Sequence, residues 1–134
     1  MTTALIPDKF SPRLAREQVI WLTTVGTDDT PQPNPVWFFW EGATVLTFSR
    51  PDAKRLAHIK RNPRVSLHLN STRTGGKVTV LTGTAEVLEG DPTAYPEYVA
   101  KYRRDIEQIS GTVEAFAKEY SLPTRIRVDG ARGF

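Results

Sequence analysis

Apolar residues fall in short runs separated by Gly, Pro and charged residues, the pattern of a small β protein with few helices. VIWLTTV (19–25) predicts a strand, because β-branched and aromatic side chains suit a pleated, half-buried surface. GTDDTPQ behind it is turn material. PVWFFW (35–40) predicts a second strand, and Pro33 and Pro35 place its start at a sheet edge or a bulge, since proline lacks an N–H for the ladder. Alternation puts Val36, Phe38 and Trp40 on one face and Trp37 and Phe39 on the other. Both faces are bulky and apolar, so this strand needs cover on both sides, from the core on one and from a partner subunit or a ligand on the other. Glu41 and Gly42 form a tight turn into a third strand, ATVLTFS (43–49), with Val45 and Leu46 on opposite faces.

Helical periodicity is confined to three places. Ser11 is placed to cap a short helix with Pro12 in its first position. Asp52 is placed to cap a second helix that runs to about Arg61 and stops at Asn62-Pro63. Leu56 and Ile59 turn one side of it inward, and Lys54, His58 and Arg61 lie on another. The third helical stretch, 91–120, is broken near Ser110 and Gly111. Between them, 64–70 alternates Val65, Leu67 and Leu69 with polar residues, and 77–90 is a long strand in which Gly83 marks a bulge. LPTRIRVDGARGF ends the chain as a last strand. Strands joined mostly as hairpins predict a mainly β fold, a six-stranded antiparallel barrel with flanking helices. Helices do not alternate with strands, which argues against a doubly wound α/β sheet.

At 134 residues, 39% hydrophobic and 25% charged, the chain is one globular domain spanning 1–134. It has no cysteine, which excludes disulfide scaffolds, thiol catalysis and cysteine-held zinc. No apolar run is long enough to span a bilayer, and MTTALIPDKF lacks the pattern of a signal peptide, so a cytoplasmic protein with no membrane partner is expected.

Net charge is +3, but residues 50–64 alone carry +5 through Arg50, Lys54, Arg55, Lys60, Arg61 and Arg64 against Asp52. A concentrated positive segment on a near-neutral body points to an anionic ligand, and a helix start rich in Lys and Arg suits a phosphate. Lys54 supplies a point charge and Arg55 a two-pronged clamp. The competing account is a solvated basic helix face. A nucleic-acid partner is not expected, because the basic footprint is small and the aromatic residues are not interleaved with it. Catalytic groups are scarce. His58 and His68 stand alone, no acid/base pair is evident, and no metal site is expected. Chemistry would have to come from a cofactor.

The segment KRLAHIKRNPRVSL (54–67) resembles the flavin-binding proteins of the pyridoxamine 5′-phosphate oxidase-like superfamily. In that family a Ser-Arg-Lys triplet binds the flavin phosphate shortly before an Asn-Pro and a strand. The corresponding positions here are Ala53, Lys54 and Arg55, with Asn62-Pro63 following. The segment 31–38 is similar to the family's second barrel strand, which backs the flavin ring, and 124–134 to its last strand. Arg125 then falls where the family carries an arginine that reaches the cofactor of the partner subunit. The resemblance covers nearly the whole chain. It implies a split β-barrel homodimer with cofactor sites at the interface and a small-molecule substrate.

The particular combination resembles the deazaflavin-dependent oxidoreductases that use coenzyme F-420, with FMN as the alternative cofactor and a non-catalytic carrier as the alternative function. The residues implied to bind the cofactor are Pro35, Val36, Trp37 and Phe38 at the ring or substrate, and Thr47, Phe48 and Ser49 along the ring. Arg50, Ala53, Lys54, Arg55 and Lys60 would lie at the anionic tail, with Arg125 from the partner. Alanine in place of the triplet's serine favours F-420 over FMN, and Ser49 is a partial substitute.

Overall fold

The computed structural model describes residues 6–134. Seven strands form one antiparallel sheet: β1 (Val19–Val25), β2 (Pro31–Trp37), β3 (Phe39–Trp40), β4 (Thr44–Ser49), β5 (Arg64–His68), β6 (Thr79–Val87) and β7 (Leu122–Gly133). Four helices flank it: α1 (Ser11–Arg16), α2 (Lys54–Arg61), α3 (Pro96–Ser110) and α4 (Val113–Glu119). The strand order is β2-β1-β5-β6-β7-β4-β3. Only Phe38 separates β2 from β3, yet they lie at opposite ends of that order. The sheet is therefore curled until its two edges meet, a split barrel.

This corrects the expected strand count. The 35–40 run is two strands, because the chain leaves β1 at Trp37 and joins β4 at Phe39. The alternation of faces survives the break. Val36, Phe38 and Trp40 pack with the barrel interior, which also holds Ile20, Leu22, Val45, Leu67, Leu81 and Ile126. Trp37 and Phe39 pack outside the barrel in a second core.

That second core is built by the chain itself. Leu46 and Phe48 of β4, Tyr98, Val99, Tyr102 and Ile106 of α3, and Phe116 of α4 form it. Cover over Trp37 and Phe39, expected from a partner subunit or a ligand, comes in part from α3 and α4, so this face does not by itself call for a dimer. Trp37 lies between Tyr102 and Phe116, with ring centroids 4.7 and 5.9 Å away and planes tilted by 3° and 17°.

The break at Phe38 leaves ladder groups that α3 satisfies. The Phe38 N–H donates to the Tyr102 hydroxyl at 2.8 Å. That hydroxyl stands 2.7 Å from the Gln18 carbonyl and 2.8 Å from that of Phe38, either of which its hydrogen serves. Lys101 Nζ donates to the carbonyls of Glu17 and Phe38, both at 2.8 Å. Two helix side chains thus close the seam where strand pairing stops.

Other local expectations hold. Pro31, Pro33 and Pro35 take alternate positions of the edge strand β2, so their missing N–H groups fall on the side away from β1. β6 shifts register between Thr82 and Gly83, and a Cβ at Gly83 would meet the Arg127 carbonyl and come within 2.9 Å of Ile126 Cγ2. Gly111, at φ 83°, separates α3 from α4. Two caps do not hold. Ser11 opens α1 without a side-chain cap, and Ala53, not Asp52, precedes α2, also without one. No helix among the described residues is long and apolar enough to cross a membrane.

Candidate functional site

Two cavities meet at Arg55. One, of about 250 Å³, is walled by Pro35, Val36 and Trp37 of β2, Phe48 of β4, Tyr98 and Ile109 of α3, and Phe116 and Tyr120 at α4. The other, of about 650 Å³, is polar. Gly26, Thr27 and Asp28 of the β1–β2 turn line it, with Gln32 and Asn34 of β2 and Ala53, Lys54 and His58 at the start of α2. Arg55 lines both. An aromatic slot thus opens beside a hydrogen-bonding hollow at a helix start, with one cation at the junction.

Arg55 is half-buried and anchored. Its Nε donates to Ser49 Oγ at 2.9 Å, and Ser49, the last residue of β4, has no exposed surface. Anchoring through Nε leaves the terminal nitrogens for an anion. Burial lowers the pKa of Arg55, against the influence of Tyr98 and Tyr120. Burial drives the pKa of Tyr98 well up, so that phenol stays protonated beside the guanidinium. The N-terminus of α2 has no side-chain cap, and it stands at the polar hollow, whose charged lining is Lys54 and Arg55 against Asp28. His58 Nδ1 shares a 3.0 Å hydrogen bond with the buried Thr24 hydroxyl, which fixes the ring at the cavity wall.

The +5 segment is less concentrated in space than along the chain. Arg50 pairs with Glu119 and lies over the Tyr120 ring. Arg61 pairs with Asp29 and reaches the Gly26 carbonyl, and Arg64 pairs with Asp129. What remains at the cleft is Lys54 and Arg55.

The expected site residues divide accordingly. Pro35, Val36, Trp37, Phe48, Ala53, Lys54 and Arg55 line the two cavities, and Ser49 holds Arg55. Phe38 does not line them. It is fully buried in the barrel interior, at the seam between β2 and β3. Thr47 is buried, and its hydroxyl donates to the Trp37 carbonyl at 2.7 Å. Arg50 and the exposed Lys60 lie outside both cavities.

Arg125 is held by Glu41 through two hydrogen bonds of 2.9 and 3.0 Å. Glu41 itself lies beside a separate groove lined by Phe39, Trp40 and Tyr95. Sequence reasoning missed Gln32, Asn34, Tyr98, Ile109, Phe116 and Tyr120. The signal for the aromatic ones was present in the helical spacing of Tyr95, Tyr98 and Tyr102 and of Phe116 and Tyr120.

A family model described as pyridoxamine 5′-phosphate oxidase matches residues 6–128. The chain belongs to this family. No curated protein matches the chain. Among solved structures, the chain is similar to an F-420 reductase at a TM-score of 0.76 and 22% identity, covering 95% of this chain and 98% of that one. It is similar to the heme storage protein HutZ of Vibrio cholerae at a TM-score of 0.70 and 16% identity, covering 95% and 93%. It is also similar to a FAD-binding protein of Mesorhizobium loti at a TM-score of 0.70 and 20% identity, covering 95% and 92%. These likenesses show the split-barrel fold.

Proposed function

We propose that this pyridoxamine 5′-phosphate oxidase family member is an oxidoreductase that uses coenzyme F-420 to reduce a small organic substrate, with FMN as the competing cofactor. The observation that carries the proposal is the junction at Arg55, where an aromatic slot and a polar, cationic hollow share one guanidinium. Two such spaces side by side suit a planar ring joined to a phosphate-bearing tail; the hollow, at about 650 Å³, falls within the ordinary small-molecule range of about 300–1,000 Å³, and the slot, at about 250 Å³, just below it. The residues present fit such a group. Arg55, Lys54 and the uncapped start of α2 would hold the phosphate. Trp37, Phe48, Phe116 and Tyr120 would flank the ring and exclude water.

When bound, a reduced deazaflavin supplies a hydride. The protein's part is position and electrostatics. Ser49 orients Arg55, and the Trp37–Phe116 stack sets the slot's width. Asn34 and Gln32 offer amide hydrogen bonds along the hollow. Ala53 offers no hydroxyl where FMN-binding relatives carry a serine, which favours F-420. No carboxylate lines the aromatic slot, and burial holds the proton on the Tyr98 phenol there, so the proton that accompanies reduction is assigned to water.

The proposal includes a homodimer. In it Arg125, beside the separate groove at Phe39, Trp40 and Tyr95, would serve the partner's site. Sedimentation as a monomer at micromolar concentration would remove this part.

The test is titration of the purified protein with F-420 and with FMN at matched ionic strength, followed by fluorescence. Tighter binding of F-420 is expected, with oxidation of its reduced form by α,β-unsaturated carbonyl compounds. Equal or tighter FMN affinity overturns the cofactor assignment. F-420 binding without turnover on such compounds makes the protein a carrier.

A further inference from the structure

The amine of Lys101 lines neither cavity of the cleft and serves no part of the function above. It is half-buried at the barrel seam, donating to the carbonyls of Glu17 and Phe38 at 2.8 Å each. It stands 4.1 Å from the centroid of the Phe38 ring. On its outer side lies a groove of about 710 Å³, lined also by Gln18, Arg103, Arg104, Asp105 and Glu107. Arg103 and Arg104 are exposed, and no ion pair forms on them among the described residues.

We propose that Lys101 is a site of covalent acylation by small anionic acyl donors of the acyl phosphate class, guided by Arg103 and Arg104. The geometry prepares the nitrogen for this. A neutral amine has two hydrogens, and the two carbonyls take both. The lone pair is then left in the fourth tetrahedral direction. The surroundings also hold the amine partly neutral. Burial lowers its pKa to about 8, against Glu17, which raises it. The other charged groups at the groove, Asp105, Glu107, Arg103 and Arg104, come from α3 itself. Tyr102 beside it stays protonated, its pKa raised by burial. At pH 8 about half of such an amine is neutral, against roughly one in 300 for an ordinary lysine.

In the reaction the lone pair attacks the acyl carbon, and a C–N bond forms. The bond from that carbon to the phosphate oxygen breaks, and inorganic phosphate leaves. The extra proton on nitrogen passes to solvent. No oxidant or reductant is consumed. The resulting amide keeps one N–H, so one of the two seam carbonyls loses its donor and the Phe38 seam is weakened.

The test treats the full chain with acetyl phosphate at pH 8 and maps modified lysines against time. Lys101 is expected to react at least about tenfold faster than the exposed Lys60, with a rate that rises through a midpoint near pH 8. Lys101 modified no faster than Lys60, or a rate still climbing steeply past pH 9.5, overturns the proposal. Arg103→Ala with Arg104→Ala should slow acetyl phosphate several-fold while leaving the neutral donor p-nitrophenyl acetate unaffected. Equal effects on both donors overturn the anion guidance. Lys101→Arg should keep the folded melting profile and lose the fast site, which ties the signal to this nitrogen.

Discussion

Removing the Arg55 guanidinium separates two roles that the structure assigns to it. Arg55→Ala deletes both the anion clamp and the donor to Ser49 Oγ, 2.9 Å away. Ser49 is wholly buried, so its hydroxyl loses its partner without gaining bulk water. An orphaned buried hydroxyl costs about 1–3 kcal/mol, which for a domain of this size lowers Tm by roughly 3–12 °C. An arginine on a solvated helix face would be neutral to folding; the half-buried contact with Ser49 makes Arg55 contribute to stability.

The loss of a charge-assisted contact worth about 1.5–3 kcal/mol should weaken cofactor binding roughly ten- to a hundredfold. Arg55→Lys should recover only part of the affinity, because one ammonium does not serve Ser49 and a phosphate with the geometry of a fork. Ser49→Ala combined with Arg55→Ala removes the orphan, so Tm should return most of the way while affinity stays low. The assay is cofactor titration by fluorescence alongside thermal melts of the three variants. If Arg55→Ala binds both F-420 and FMN like the wild type, the phosphate site is misplaced. If the double variant recovers binding along with stability, the effect on affinity was only a consequence of misfolding.

Gly83→Ala should cost about 1–3 kcal/mol in urea denaturation, since its Cβ meets the Arg127 carbonyl and Ile126; an unchanged midpoint refutes the close approach. Tyr102→Phe should cost about 1–3 kcal/mol by stranding the Phe38 N–H at the seam, and exchange at that amide should rise in parallel. Because the folded pKa of Lys101 is lowered to about 8 from 10.5, the unfolded chain binds more protons between those values. Wild-type stability should therefore rise relative to Lys101→Met as pH goes from 7.5 to 10, and a difference that is flat or falling contradicts the shift.

Legibility in the sequence followed the range of the interactions. Local chemistry was readable: the Gly83 bulge, the stop at Asn62-Pro63, the proline-marked edge and the turn at Gly111 are each set by one or two residues. The break at Phe38 was not, because VWFFW keeps perfect alternation through it and the group that satisfies the freed Phe38 N–H, the Tyr102 hydroxyl, lies 64 residues away. The cover that α3 and α4 give Trp37 was not legible either, since apolar surface does not say which surface will bury it and both helices arrive late in the chain. At the site, Lys54 and Arg55 were legible as charge, but the neutralisation of Arg50 by Glu119 and of Arg64 by Asp129 depends on pairings 69 and 65 residues apart.

β7 lies between β6 and β4, pairing with β6 along most of its length and with β4 through its first half. It is also the last strand in chain order. Before it is in place, the sheet consists of two fragments: β2-β1-β5-β6, and the short hairpin β3-β4. Each fragment has an open edge facing the position that β7 will fill, and neither encloses the interior. During synthesis the molecule therefore waits for its final dozen strand residues, and until then β6 and β4 offer unpaired backbone to any neighbouring chain. Closure in one late step makes assembly vulnerable in the interval before it. A ribosome stalled before residue 122 should hold a nascent chain that is protease-sensitive throughout.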